Sequence, residues 1–376
     1  MNVAFRVDAS DKIGMGSLMR CLTLAEALRN DGARVKFFCR QHPGKLIELL
    51  KLRPMPVTAL PAPENTKDIS DNDGYACWLG VSQEEDAEQV INQLAGIQPQ
   101  WLVVDHYGID EIWEQRLEPH AHEIMVIDDI ASRRHKCSLL LDQNYTAQRR
   151  SEQLVPQHCV MLLGPMYALL RSEYSACRAR QPRRYSDIGR ILVYFGGSDS
   201  ANISELAMQA LPSPQLKHLV VDLVIGANNP HHTSIMQHAS SRPSTFTYKS
   251  QTHLANLMAQ ADLAVGAGGA TTWERMCLGL PSLVATCAKN QIPLAQTLNQ
   301  ENLIWLIGDS KLITAAQIHD AIVGRLSGQN HASVSVSTSQ ICDGSGTSRV
   351  LDTMKTINTP SNKWLHRLAY CPVCHL

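Results

Sequence analysis

An excess of charge of either sign is what this chain lacks first. Its 34 lysines and arginines stand against 35 aspartates and glutamates, a formal net charge of -1 over 376 residues. That balance excludes a global basic field of the kind that draws nucleic acid or an anionic membrane surface. Long apolar runs are missing too: no segment approaches the roughly 18 consecutive apolar residues of a membrane span. The first residues lead straight into a strand-like run, without the basic and apolar segments of a signal peptide. There is no long internal repeat. Cysteine is not scarce, but its eleven copies are scattered and odd in number, the pattern of reduced core thiols and not of a disulfide framework. With 44% hydrophobic and 18% charged residues, the chain is expected to be soluble, cytoplasmic and long enough for two domains.

What is present is organised around residues 2–20. An apolar run from Val3 to Val7 ends at Asp8, and a polar loop with Gly14 and Gly16 follows. From Ser17 an amphipathic helix begins, with Leu18, Cys21, Leu22, Ala25 and Leu28 on its apolar side. Strand, glycine loop, helix is an arrangement that leaves backbone N–H groups free at a helix start. Further strand-like runs follow at Val35 to Cys39, Val57 to Leu60, Trp101 to Val104, Ile124 to Ile127 and Leu139 to Leu141. Helical patterns fall around Leu46 to Leu52, Glu84 to Ala95 and, after Asp105-His106-Tyr107-Gly108, to about Leu117, while the polar, proline-bearing residues 61–76 read as loop. The stretch RARQPRRYSDIG at 178–189 breaks the alternation and reads as a solvated linker. The pattern restarts with strands at Ile191 to Phe195, Leu219 to Ile225, Thr245 to Tyr248, Leu263 to Gly266 and Ser282 to Ala285. Helices are expected from Ile203 to Ala210, Leu254 to Ala261, beyond Gly269 to Leu278, Ile292 to Glu301, Thr314 to Leu326 and Ser348 to Ile357. Strands alternating with helices imply parallel pairing. The predicted architecture is α/β: two doubly wound, Rossmann-like domains facing a cleft, at 1–177 and 190–358, with a linker at 178–189 and a tail at 359–376. Ligands of such sheets bind beyond the carboxyl ends of the strands.

Chemistry-bearing residues are densest in the second half. Gly196, Gly197, Ser198 and Asp199 follow a strand; the glycines permit close approach of a ligand to the backbone, and a plain turn is the alternative. Gly268 and Gly269 precede a helix opening at Thr271, where free N–H groups could hold a diphosphate. Glu274, one turn in, could accept from ribose hydroxyls; alternatively Thr271 and Glu274 form a capping box. Asn290 and Gln291 carry amides suited to sugar hydroxyl or N-acetyl groups, with helix capping as the plainer reading. Asp128 and Asp129 end a strand without the surrounding ligands of a metal site, and read as a surface turn. Cys371, Cys374 and His375 spell a haem-attachment pattern in a chain with no sign of export, and read as an incidental tail. No metal or other cofactor is expected.

Taken in order, the three glycine and amide stretches of the second half resemble the C-terminal domain of the glycosyltransferase-B type, whose members bind UDP-sugars. The N-terminal motifs Phe5-Arg6-Val7-Asp8, Ile13-Gly14-x-Gly16, Arg20-Cys21 and Val104-Asp105-His106-Tyr107-Gly108 narrow the likeness. So do the stretch Leu163 to Arg171 and the pattern Asp343-Gly344-x-Gly346-x-x-Arg349. Together they resemble the UDP-2,4-diacetamido-2,4,6-trideoxy-β-L-altropyranose hydrolases of pseudaminic acid synthesis, over residues 2–355. The resemblance implies inverting hydrolysis at the anomeric carbon, with Tyr107 lining the sugar site, Asn290 touching substrate, and Gly14, Gly16 and Arg20 around it. It also implies a histidine base directly after the second glycine of the first loop. Here that position is Ser17, whose hydroxyl takes no proton at neutral pH without another base. Three readings stay open: weakened or lost hydrolysis with binding retained, a helix-capping serine with His106 or Asp8 supplying the base, or drifted chemistry. The rivals to a hydrolase are a glycosyltransferase of the same architecture and a non-catalytic UDP-sugar-binding protein.

Overall fold

The computed structural model describes residues 1–10, 13–42, 55–63, 74–147, 152–180, 187–227, 229–249, 254–327 and 330–357. The expected helix at 46–52, residues 181–186 of the linker and the cysteine-containing tail lie outside the described residues. The chain divides into two compact units, one of residues 1–169 with the helix Gly346–Ile357, the other of residues 170–345.

Unit 1 is a seven-stranded parallel sheet. Its strands are β1 (Asn2–Val7), β2 (Arg34–Arg40), β3 (Val57–Leu60), β4 (Trp101–Asp105), β5 (Glu123–Ile127), β6 (Leu139–Asp142) and β7 (Val160–Leu163), in the spatial order β3-β2-β1-β4-β5-β6-β7. Central strands covered on both faces read as unbroken apolar runs, which is why β1, β4 and β5 are visible in the sequence. Their alternate residues serve two cores. Val3, Phe5, Val7, Trp101 and Val103 pack under α1 (Gly16–Asn30). Ala4, Leu102, Val104, Ile124 and Val126 face α2 (Gln83–Leu94) and α3 (Glu111–Leu117), with Trp113 fully buried among them. Ser82 caps α2 by accepting the N–H of Glu85, and three acidic residues occupy its first turn.

Unit 2 begins with α4 (Ser172–Arg180) and builds a six-stranded parallel sheet. Its strands are β8 (Arg190–Tyr194), β9 (Val220–Ile225), β10 (Thr245–Lys249), β11 (Leu263–Ala267), β12 (Ser282–Thr286) and β13 (Trp305–Asp309), in the order β10-β9-β8-β11-β12-β13. Between them run α5 (Ile203–Ala210), α6 (His232–Ser241), α7 (Ala255–Gln260), α8 (Thr271–Cys277) and α9 (Ile292–Gln300), and after them α10 (Ala315–Val323) and α11 (His331–Ile341). Four elements of unit 2, α4, α6, β13 and α11, are missing from the sequence reading. Every residue of β13 is half-buried, so it lacks the apolar run of its neighbours. Helix α11 reads HASVSVSTSQI, a run of serines and β-branched residues with weak helix preference. Packing overrides that preference: Val334, Thr338 and Ile341 are buried, and the Ser335 hydroxyl donates to the Gly279 carbonyl at 2.5 Å.

The last helix, α12 (Gly346–Ile357), returns to unit 1, where the sequence reading carries the second domain through 358. Val350 and Met354 are fully buried in the core beneath α1, and Arg349 donates to the Met166 carbonyl at 2.8 Å. Gly346 allows the approach, since a Cβ there would stand 2.3 Å from the Ala168 carbonyl oxygen. The start of the linker differs as well, because α4 packs against α7 and α8 within unit 2. None of the nine cysteines among the described residues forms a disulfide, and seven are buried. No described helix is long and apolar enough to cross a membrane.

Candidate functional site

Both sheets have one place where consecutive crossovers run to opposite sides: between β1 and β4 in unit 1, and between β8 and β11 in unit 2. At such a switch point the loops part and leave a crevice beyond the strand ends. The candidate residues of each unit gather there.

In unit 1, Gly14 closes a turn on Ser10 and has φ +83°, a conformation that favours glycine. Gly16 is exposed, and a Cβ at either glycine would meet nothing within 4 Å. Ser17 is the second residue of α1 and half-buried. Met15 holds the capping position, with no side-chain cap, so the helix-capping role allowed for Ser17 is not seen.

Asp8 is buried at the end of β1. Its carboxylate accepts from the Arg6 guanidinium at 2.5 and 2.8 Å and from the Arg40 backbone N–H at 2.7 Å, and His42 and His106 each bring Nε2 to 3.3 Å. Burial alone would push this carboxyl up; Arg6 and the two imidazoles outweigh it and hold Asp8 well below the usual carboxylate range. His106 is buried too. Its Nδ1 accepts from the Gly108 N–H at 3.0 Å, which puts the ring proton on Nε2, facing Asp8. Burial pushes this imidazole down, against the pull of Asp8. This imidazole is held through Nδ1 by the Gly108 N–H and turns Nε2 towards Asp8. Asp8 and His106 are both buried, at 1% and 5% exposure.

Arg20 behaves likewise. Its guanidinium is buried and forks onto Asp105 at 2.6 and 2.8 Å, then reaches Asp129 at 2.9 Å. It therefore joins α1 to the ends of β4 and β5. The other oxygen of Asp129 accepts from the Tyr107 hydroxyl at 2.5 Å. Burial pushes the Tyr107 phenol well up, and the charge of Asp129 adds to it, so the group stays protonated. The Tyr107 ring lies against Tyr75 and Trp78, with centroids 5.1 and 5.8 Å away. Those two belong to a 3₁₀ helix, Tyr75–Leu79, where the sequence pattern predicted loop as far as 76. Gly108 makes room for it, because a Cβ there would come within 2.9 Å of the Tyr75 carbonyl oxygen.

Asp128 corrects another expectation. It is fully buried, not part of a surface turn, and its charge is met by Arg133 at 2.7 Å and His135 at 3.3 Å. His135 also meets Glu114 at 2.7 Å. Burial opposes its charge, but hydrogen bonds to Asp128 and Glu114 prevail and raise the imidazole to about 9. Arg133 donates in turn to the carbonyls of Tyr107 and Ile109, fixing the backbone that carries the tyrosine.

In unit 2, Gly196 (φ +93°) and Gly197 follow β8, and a Cβ on either would meet nothing within 4 Å. Their other side is closed: a Cβ at Gly226, just past β9, would lie 2.1 Å from the Gly197 carbonyl oxygen. Ser198 is half-buried beside them. Asp199 is buried and accepts from the N–H groups of Ile203 and Ser204 at 3.0 and 2.9 Å, so its carboxylate caps α5. Burial pushes it up, against those hydrogen bonds.

After β11, Thr272 and Trp273 donate their N–H groups back to Gly269 and Ala270. The N–H groups of Gly269, Ala270 and Thr271 have no partner among the described residues. The capping box is absent: Ala270 is the cap, and the Thr271 hydroxyl accepts from Arg275 at 3.1 Å. Glu274 is left for other work. Burial pushes its carboxyl up, while a hydrogen bond from Tyr174 and the charge of Arg171 pull it back. Gln291 lies on the glycine loop, its amide nitrogen 3.4 Å from where a Gly269 Cβ would be, and its oxygen accepts from the Cys287 N–H at 2.9 Å. Asn290 is exposed beside it, and neither amide caps α9. The loops after β8, β9, β11 and β12 thus form one continuous edge.

Comparison with known proteins bears on this geometry. Residues 191–331, which contain every unit 2 candidate, match the glycosyltransferase family 28 C-terminal domain. Among solved structures, MurG of Acinetobacter baumannii superposes with a TM-score of 0.61 at 12% identity, covering 94% of this chain and 99% of that one. Arabidopsis thaliana UGT89C1 complexed with UDP gives 0.63 at 9% identity, with the same coverage. The fold is the glycosyltransferase-B type. The chain is also similar to a UDP-2,4-diacetamido-2,4,6-trideoxy-β-L-altropyranose hydrolase of Campylobacter jejuni, 25% identical over 293 residues, which are 77% of this chain and 93% of the relative. The spore coat polysaccharide biosynthesis protein SpsG of Bacillus subtilis is 28% identical over 165 residues, 44% of this chain and 48% of that protein.

Proposed function

We propose that the protein acts on a UDP-sugar, with the nucleotide bound by unit 2 and the sugar chemistry carried by unit 1. The observation that carries this reading is the run of three N–H groups at Gly269, Ala270 and Thr271 without partners among the described residues, at the same switch point as the open Gly196 and Gly197. Amide dipoles so placed hold a diphosphate and stabilise it further as it leaves, with no metal required. Ser198 adds a donor there, Asp199 keeps its loop in shape, and Glu274 accepts from the ribose hydroxyls. Asn290 and Gln291 offer amides to the sugar-bearing end.

The reaction is hydrolysis of a UDP-diacetamido-trideoxyhexose to UDP and the free sugar, with inversion. Support comes from the similarity to the Campylobacter hydrolase across 93% of that protein's length. Water attacks the anomeric carbon opposite the diphosphate, the C1–O bond breaks with its electron pair leaving on UDP, and a base takes the water's proton. Ser17 cannot be that base unaided. Loss of a positioned general base lowers turnover by about 10²–10⁴, so binding is retained while hydrolysis is slow. The family 28 match favours a second reading, transfer to an acceptor hydroxyl.

Calorimetric titration with UDP, followed by NMR of the UDP-diacetamido sugar incubated with the chain, tests both. Binding of UDP with slow release of inverted free sugar is expected. Release that depends on an added acceptor alcohol would select transfer. UDP bound with no release would leave a binding protein, and no UDP binding would remove the site assignment.

A further inference from the structure

We propose that Asp129 is the general base of this chain, receiving the proton of the attacking water in place of the histidine missing at position 17. The assignment rests on the hydrolytic reading above. Three carboxylates stand with it at the ends of β1, β4 and β5: Asp8, Asp105 and Asp128, each with a side chain 0% exposed. The imidazoles nearby are closed as well, His106 at 1% and His42 at 5%. The Asp129 side chain is 16% exposed, which leaves it open to water beyond the end of β5.

Helix geometry relates it to position 17 through Arg20. Ser17 and Arg20 are three residues apart in α1 and share a face. From that face Arg20 reaches Asp129 at 2.9 Å. The carboxylate is held from two sides, by Arg20 on Oδ2 and by the Tyr107 hydroxyl on Oδ1. Each oxygen keeps a second lone pair. One of these takes the water proton as the C1–O bond to the diphosphate breaks, and the resulting acid returns the proton to solvent. The groups facing Asp129 are Arg20 from α1, the Tyr107 phenol from the turn after β4, and the Tyr75 phenol from the 3₁₀ helix; Asp105 lies behind Arg20.

A double-mutant cycle on the full chain separates a base from a positioning group. UDP release from the UDP-diacetamido sugar is measured for the parent, Asp129→Asn, Ser17→His and the double variant, with UDP affinity measured alongside. In the parent background Asp129→Asn is expected to lower kcat by on the order of 10² or more, with UDP affinity held within about twofold. In the Ser17→His background the same change is expected to cost less than about tenfold, because the imidazole now takes the proton; that non-additivity is the signature of a shared role. Equal losses in both backgrounds, or an unchanged kcat for Asp129→Asn, overturn the assignment. A parent that binds UDP and releases none overturns it while leaving the nucleotide reading intact, whereas absence of UDP binding removes both. If Asp129→Asn melts early, Asp129→Glu carries the test: it shifts the carboxylate by one methylene, and must lower kcat more than it alters KM.

Discussion

A serine hydroxyl and a carboxylate differ in whether they accept a proton near neutrality, and unit 1 puts one of each at the open end of α1. The buried groups around them are tuned to other ends. His135, clamped between Glu114 and Asp128, carries its charge with a value raised to about 9. A raised imidazole contributes stability that is fully present below its unfolded value of about 6.5 and is lost as pH climbs through about 9. Thermal melting is therefore expected to fall between pH 6.5 and 9, and His135→Ala to flatten that fall. At pH 7 the same variant is expected to lose about 3–5 kcal/mol, since it leaves buried carboxylates without their partner. An unfolding titration at the two pH extremes reads both effects. In unit 2, Glu274→Gln removes the charge proposed to accept from the ribose. A hydrogen bond to a charged acceptor is worth about 1.5–3 kcal/mol, so UDP affinity should drop by roughly tenfold to a hundredfold in calorimetry. An unchanged affinity would return Glu274 to a purely structural role beside Tyr174.

At the scale of elements, the switch points decide which loops matter. Gly226 is the sharpest case, because any side chain there collides with the Gly197 carbonyl. Gly226→Ala is expected to displace the Gly196–Gly197 loop and weaken UDP binding at least about tenfold, by the loss of one or more amide contacts to phosphate. Calorimetry beside a far-ultraviolet spectrum distinguishes a displaced loop from a lost fold. Much of this edge was legible in the sequence. β1, β4, β8, β11 and β12 are covered on both faces and announce themselves as apolar runs, and the glycines after β8 and β11 mark where backbone must stay open. The half-buried β13 and the serine-rich α11 gave no such signal, because neighbours and not local preference hold them. The carboxylate network was hidden for another reason. Arg20 meets Asp105 and Asp129 across 85 and 109 residues of chain. The sequence motifs contain these residues but not their pairing, so Arg20 reads as a substrate contact and Asp128 as surface. Tyr75 and Trp78 were lost in a stretch whose prolines and polar residues suggested only loop.

For the whole molecule, the path of the chain matters as much as the fold type. The chain leaves unit 1 at residue 169 and returns with α12, whose Val350 and Met354 complete the core beneath α1. Met354→Ala is expected to cost about 2–5 kcal/mol through the cavity it leaves, lowering the thermal midpoint with UDP affinity unchanged. Loss of UDP binding in that variant would contradict the assignment of the nucleotide to unit 2. The central claim is that a UDP-sugar hydrolase framework persists here with its base position altered. UDP release from the UDP-diacetamido sugar, compared between the chain as written and Ser17→His at equal concentration, tests it most directly. The expected result is slow release by the parent and a gain of about 10²–10⁴ on restoring the imidazole; fast release by the parent with no gain, or no release by either, would contradict it.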